Sequence, residues 1–231
     1  MNSTRRSVLA FIVLSWCLAL PSVGQTPFPA PWPKPLAPEA YWQTLMTGNA
    51  TYMAGALPYT GLGAQREASA AGQHPPVTVL SCADSRVPPE LIFGRAIDDL
   101  FVVRVAGNVA GPFDIASIEY AIDHEWTRLI VVMGHEDCGA VKAALDPDDP
   151  GTPSLVSLVQ RIRESFIGLP TWTGPDRLER GVKANARSSA AYLLAHSTVI
   201  RKAVLEHHVG LIVAYYNLKS GKVEEVKQSC D

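Results

Sequence analysis

Apolar positions along this chain fall into two kinds of run, and the two kinds alternate. The first is short, β-branched and almost free of polar interruption: "VTVLS" at Val77–Ser81, "LFVVRV" at Leu100–Val105 and "RLIVVMG" at Arg128–Gly134. Runs this short and this uniformly apolar predict strands covered on both faces. The second kind spaces its apolar residues three or four positions apart and predicts helices. One covers "PEAYWQTLMTGNATYMAG", with Pro38 in its first turn and Gly48 limiting its length. A second covers "DIASIEYAIDHEW" with Asp114 as N-cap, and a third, "GAVKAAL", stops at Asp146-Pro147. Helical spacing returns over Ser154–Phe166. It then runs through "RLERGVKANARSSAAYLLAHS" and "TVIRKAVLEHH", with a break near Ser197. "GLIVAYYNLKSGKVEEV" ends the pattern with a strand, a "KSGK" turn and another strand, which reads as a hairpin.

Strands that alternate with helices make an α/β fold: a mainly parallel central sheet flanked by helices, with a C-terminal hairpin. Sheets of this kind carry their sites beyond the carboxyl ends of the strands. Cys82 follows the first strand and His135 follows the third, so both are expected at that edge.

The N-terminal pattern is different. Arg5 and Arg6 precede an apolar run of 13 residues, Val8–Leu20, with small residues at Ser22 and Gly24. A membrane span needs about 20 apolar residues, so the run suits a signal peptide over residues 1–24, cleaved before Gln25. The paired arginines resemble a twin-arginine export signal, and Trp16 before Cys17 is too bulky for a lipidation site. Residues 25–38 hold six prolines between Pro27 and Pro38, a polyproline-like tether. One domain is expected over residues 39–231, exported to the periplasm, with no stable membrane span in the mature chain. The whole chain has 231 residues, 47% hydrophobic, enough for one good core. Its net charge is −2 and its basic residues form no long run, which excludes a nucleic-acid or polybasic membrane function.

The chemistry gathers in two stretches, "SCADSRVPPE" (Ser81–Glu90) and "GHEDCGAV" (Gly134–Val141). Cys82, His135 and Cys138 make a thiolate, imidazole and thiolate set, with His135 and Cys138 spaced so that both reach one ion. Such a set favours zinc, and three protein ligands leave a fourth position open, as in catalytic sites. Spacing alone leaves two alternatives, buried unreactive thiols and a Cys82–Cys138 disulfide. Asp84 can accept a hydrogen bond from a metal-held water, and Arg86 can keep Asp84 ionised and oriented. Taken alone, that pair also reads as a loop-bracing ion pair.

In this order, "CADSRVPPELIF", "DLFVVRVAGN" and "GHEDCGAVKAAL" resemble the β-class carbonic anhydrases, and the likeness runs from about Glu39 to "AYYNLKSGKV". The resemblance implies one zinc ion per chain on Cys82, His135 and Cys138, with Asp84 and Arg86 as the catalytic dyad. It matches Gln73, Phe101 and Tyr120 to the substrate pocket, some of them crossing from a partner subunit; without it, Phe101 and Tyr120 read as core. It implies a lyase that hydrates carbon dioxide reversibly to bicarbonate and a proton, by attack of zinc-bound hydroxide, in a homodimer or tetramer. Matches at Gln73, Phe101 and Tyr120 favour a resting form with water on zinc over one with Asp84 as fourth ligand. A related hydrolase of carbon disulfide or carbonyl sulfide and a non-catalytic structural zinc protein are the competing functions. Two residues depart from the family pattern: Asp98 stands where glycine is usual, and Val105 where asparagine is usual. No histidine, His124 included, is singled out to carry the proton to solvent. His196, His207 and His208 read as solvated or structural, and Cys230 as a tail residue.

Overall fold

The structure is a computed structural model that describes residues 32, 37–56, 59–148, 151–170 and 173–227. The expected leader, most of the proline-rich stretch and Cys230 lie outside the described residues.

Five strands form one sheet in the order β2-β1-β3-β4-β5. They are β1 (Val77–Ser81), β2 (Leu100–Arg104), β3 (Leu129–His135), β4 (Gly210–Tyr216) and β5 (Val223–Glu225). The first four are mutually parallel, and β5 turns back antiparallel on β4. Among the described residues, eight α-helices accompany them: α1 (Pro38–Met53), α2 (Leu62–Ser69), α3 (Pro89–Ile92), α4 (Pro112–Asp123), α5 (Gly139–Leu145), α6 (Pro153–Arg163), α7 (Arg177–His196) and α8 (Thr198–Leu205). The mainly parallel sheet with its terminal hairpin is therefore the architecture that the alternating pattern predicts.

Side chains of a strand alternate between faces, and β3 shows why its sequence is apolar throughout. Leu129, Val131 and Met133 pack under α1 and α3 with Tyr41, Trp42, Leu45, Ile92 and Phe93. Ile130 and Val132 face the other way, against Ile118 of α4, Leu193 of α7 and Ile200 of α8. A third cluster surrounds the carboxyl ends of the strands, where Val141, Val159, Ile162 and Val182 enclose Cys82 and Cys138.

Two helix readings change. Gly48 does not end α1, which continues to Met53. A Cβ at Gly48 would lie 1.8 Å from the Phe93 carbonyl oxygen, so the glycine lets α1 lie directly on the α3 backbone. Asp114 is not the N-cap of α4. Gly111 is, and Asp114 stands at the third helical position, its Oδ2 accepting from the Gly111 amide at 2.9 Å. The break near Ser197 is as expected. Ser197 ends α7 and caps α8, its Oγ accepting from the Ile200 amide at 3.0 Å. Helix α2 has no counterpart in the sequence reading, and it buries none of its residues.

One buried side chain ties the ends of the domain together. Asn49 of α1 donates to the carbonyls of Ile92 (3.0 Å) and Gly221 (2.8 Å) and accepts from the Val223 amide (2.9 Å).

Candidate metal centre

The sheet carries its reactive side chains at the carboxyl edge. Cys82 is the first residue past β1, and His135 is the last residue of β3. Glu136 and Asp137 then turn the chain so that Cys138 becomes the N-cap of α5, with Asp137 in the left-handed region at φ 54°. One ligand atom from each of Cys82, His135 and Cys138 lies within 4.8 Å of the others, and all three residues are buried. Both cysteines are free thiols. His135 Nδ1 donates to the Glu136 carbonyl at 2.8 Å, which leaves the lone pair on Nε2. Nε2 is buried and without a protein partner, although an unpaired buried polar atom is costly.

Electrostatics make the donor set equally incomplete. The Cys82 thiol is pushed down, chiefly by a hydrogen bond from Cys138 and further by the Asp84 and Gly107 amides, against the opposing effect of burial. Cys138 is pushed up, because it gives that hydrogen bond and because a second thiolate beside the first would be repelled and desolvated. Only one of the two thiols ionises unless a cation lies between them. A soft divalent ion removes the conflict and uses the orphaned His135 lone pair, and tetrahedral zinc suits two sulfurs and one imidazole. The residues present fit zinc.

Asp84 and Arg86 stand beside the cluster. Asp84 Oδ1 accepts from the Arg86 amide (2.9 Å) and Nε (3.0 Å), and Oδ2 accepts from Nη2 (2.8 Å). Oδ2 also lies 3.9 Å from His135 Nε2, so the carboxylate faces the ligand atoms. The guanidinium holds Asp84 down at about 2, below its ordinary 3.8. Arg86 in turn lies 3.8 Å from Asp137 Oδ2, which links the two halves of the site. A cavity of about 460 Å³ opens beside Arg86, lined by Glu136, Asp137, Glu179, Tyr215 and Lys219 among others. Pro175, Leu178 and Leu218 complete the lining, so charged and apolar groups share this cavity.

Gln73, Phe101 and Tyr120 are not at this edge. Gln73 is exposed and precedes β1. Phe101 pairs in register with Thr78 near the start of β1, whereas Cys82 follows its end. Tyr120 is 48% exposed, with its ring tilted 4.1 Å from His124 and edge-on 5.5 Å from Trp126, which itself lies 6.3 Å from His74. Within one chain, five of the eight residues come together, and these three gather at the opposite, amino edge.

Three further residues support the site without having stood out in the sequence. Arg104, the last residue of β2, donates to the carbonyls of Cys82 (3.0 Å) and Asp84 (2.6 Å). A charged residue closing an apolar strand at the functional edge was its signal. Gly107 donates its amide to Cys82 Sγ at 3.2 Å, and Asn185 of α7 donates to the Gly107 carbonyl at 2.6 Å. Neither carried a local signal. The two departures also find their places. Asp98 has φ 71°, which explains a preference for glycine there, and its Oδ1 accepts from the His74 amide at 2.8 Å. Val105 is extended and donates its amide to the Ser81 carbonyl at 3.1 Å, a bond that any side chain permits.

A family model described as carbonic anhydrase matches residues 77–223. A carbonic anhydrase of Mycolicibacterium smegmatis is 36% identical over 191 residues, 81% of this chain and 92% of that protein. Carbonic anhydrase 2 of Mycobacterium tuberculosis is 35% identical over 189 residues, covering 80% and 91%. Among solved structures, a tetrameric β-carbonic anhydrase of Sordaria macrospora superposes with a TM-score of 0.64 at 26% identity, covering 82% of this chain and 98% of that one.

Proposed function

This chain belongs to the β class of carbonic anhydrases, and from that membership we propose how its own residues carry out the reversible hydration of carbon dioxide. Cys82, His135 and Cys138 hold one zinc ion per chain. When bound, zinc supplies Lewis-acid chemistry, making a water acidic enough to serve as a nucleophile near neutral pH.

The observation that carries this reading is the orphaned Nε2 of His135, enclosed with two thiols and facing a carboxylate whose oxygens are both held by Arg86. Asp84 at about 2 is far too weak a base to keep a proton at neutral pH. Its work is orientation: as a permanent acceptor, Oδ2 would accept a hydrogen bond from the attacking water and turn the oxygen lone pair towards the carbon. Arg86 contributes three donor contacts to Asp84, and that grip favours a resting form in which the carboxylate stays with Arg86 rather than joining the metal.

Carbon dioxide needs a small apolar wall, and the cavity beside Arg86 is of mixed character. Phe101 and Tyr120 form that wall for the site of a neighbouring subunit in a homodimer or tetramer, with Gln73 reaching the substrate beside them. Support comes from their clustering at the amino edge, out of reach of their own Cys82, and from the tetrameric relative. The leader directs the chain to the periplasm, supported by its basic start and short apolar run. Among the described residues no helix is long and apolar enough to cross a membrane.

The test is stopped-flow hydration of carbon dioxide across pH on protein whose zinc content has been measured. Activity that follows zinc content and collapses in Asp84→Ala supports the reading. Unchanged activity in that variant removes Asp84 from the reaction.

A further inference from the structure

Helix α7 presents Val182, Ala186, Ser189, Ala190 and Leu193 to the interior, and Asn185 stands within that buried stripe at 1% exposure. A buried amide among small apolar side chains is unfavourable unless each of its groups is used. Asn185 spends its Nδ2–H on one acceptor, the Gly107 carbonyl at 2.6 Å, across 78 residues of sequence.

Gly107 is an unusual acceptor. It lies in the short 3-10 turn Ala106–Asn108 that follows β2, at φ 67°, and a Cβ there would meet Ile162 Cδ1 at 2.7 Å and the Ala140 Cβ at 3.2 Å. The turn is thus pressed into a space where only glycine fits, with the backbone in a conformation that glycine adopts at little cost. From that position the Gly107 amide points at Cys82 Sγ, 3.2 Å away. One glycine therefore receives a hydrogen bond from α7 and gives one to a metal-binding sulfur.

We infer that Asn185 is a positioning residue for the metal centre: by holding the Gly107 carbonyl it keeps the Gly107 amide on Cys82 Sγ, and so sets how firmly that sulfur retains the ion. The inference rests on the zinc reading above. A hydrogen bond to a ligating thiolate fixes its direction and lowers the energy of its donor electrons, and partners of this kind change metal affinity or activity by about 10–100-fold. Packing alone does not account for Asn185, since an alanine like its neighbours would close α7 over the turn while leaving the amide of Gly107 free to swing.

Asn49 supplies a matched control. It is 2% exposed, also satisfies buried backbone groups, and lies in the core beneath α1, away from the cluster. The experiment compares full-length wild type, Asn185→Ala and Asn49→Ala, each loaded with zinc and, separately, with cobalt(II). Zinc release to a chromophoric chelator is expected to be about 10–100-fold faster in Asn185→Ala than in wild type and unchanged in Asn49→Ala. The sulfur-to-cobalt charge-transfer band should move to longer wavelength in Asn185→Ala alone, because the sulfur has lost a hydrogen bond. Both variants should melt earlier than wild type. Should Asn185→Ala not fold, Asn185→Ser serves, since a helical serine can satisfy its hydroxyl on its own helix yet cannot span to Gly107. Wild-type release kinetics and an unmoved cobalt band in a folded Asn185 variant overturn the inference while leaving the zinc reading intact. A wild type that binds neither ion at Cys82 overturns both.

Discussion

The carboxyl and amino edges of the sheet are built on opposite terms. At the carboxyl edge, Cys82, His135 and Cys138 are buried, and the nearby backbone is tied down by Arg104, Gly107 and Glu136. At the amino edge, Tyr120, His124, Trp126 and His74 form a group of tilted and edge-on rings, with Gln73 next to His74 in sequence and Phe101 near the start of β2. The carboxyl edge has the candidate ligands and an oriented carboxylate; the amino edge has aromatic groups and, among the described residues, no cluster of metal-ligating side chains. What this contrast teaches is that the residues matched to one substrate pocket lie at two different edges of the same chain.

The bluntest way to break the contrast is to empty the carboxyl edge. Cys82→Ala is expected to lose zinc and lower hydration activity by more than roughly a thousandfold, checked by metal analysis beside stopped-flow rates. Asp84→Ala should keep its zinc and lose about a hundredfold or more, which separates orientation from metal binding. If zinc departs with the Asp84 carboxylate, that residue is a ligand rather than an orienting group.

Complementation sharpens the contrast further. Co-expressing Cys82→Ala chains with Phe101→Ala/Tyr120→Ala chains makes mixed dimers in which one site has both halves intact. Half the dimers are mixed and one of their two sites works, so roughly a quarter of wild-type activity should return from two nearly inactive parents. A mixture no better than the sum of its parents would place both halves within one chain.

Smaller effects test each edge separately. The Asp84 carboxylate is held at about 2 against an ordinary 3.8. A folded value below the unfolded one means stability that is present above about pH 4 and lost as pH falls towards 2. Metal-stripped wild type should therefore lose more stability across that window than metal-stripped Asp84→Asn, as read by urea unfolding at each pH. At the amino edge, Asp98→Gly should change stability by less than about 1 kcal/mol, since relief of the left-handed strain offsets the lost His74 bond and the added freedom of the unfolded chain. Asp98→Ala keeps the strain and loses the bond, at a cost of about 1–2 kcal/mol.

Those two residues also mark how far the sequence could be read. The strands were legible because both faces of β1 and β3 are covered, so the whole run is apolar. Cys82, Asp84 and Arg86 were legible because their grouping is local, and His135 with Cys138 for the same reason. Helix α2 was invisible because it buries nothing, and burial is what writes periodicity into a sequence. Gly48 was misread because a glycine that permits close approach looks the same as one that ends a helix. Asp114 was placed three positions early in its role, since acidic side chains serve both the cap and the first turn. Asn185 was beyond reach, because its acceptor comes beside it only when α7 folds over the turn after β2.

The Asn49 clamp bears on the order in which the domain assembles. Its acceptor and its donor in the hairpin are 172 and 174 residues further along the chain. Until the final hairpin exists, the first helix has a buried amide with two of its three partners missing, so α1 cannot settle as synthesis proceeds. Closing such a long loop early is entropically unfavourable, which makes the seating of α1 against the hairpin a late step in folding. A contact formed that late contributes little to the folding rate and acts chiefly on the rate of unfolding, so Asn49 is a latch on the lifetime of the folded state.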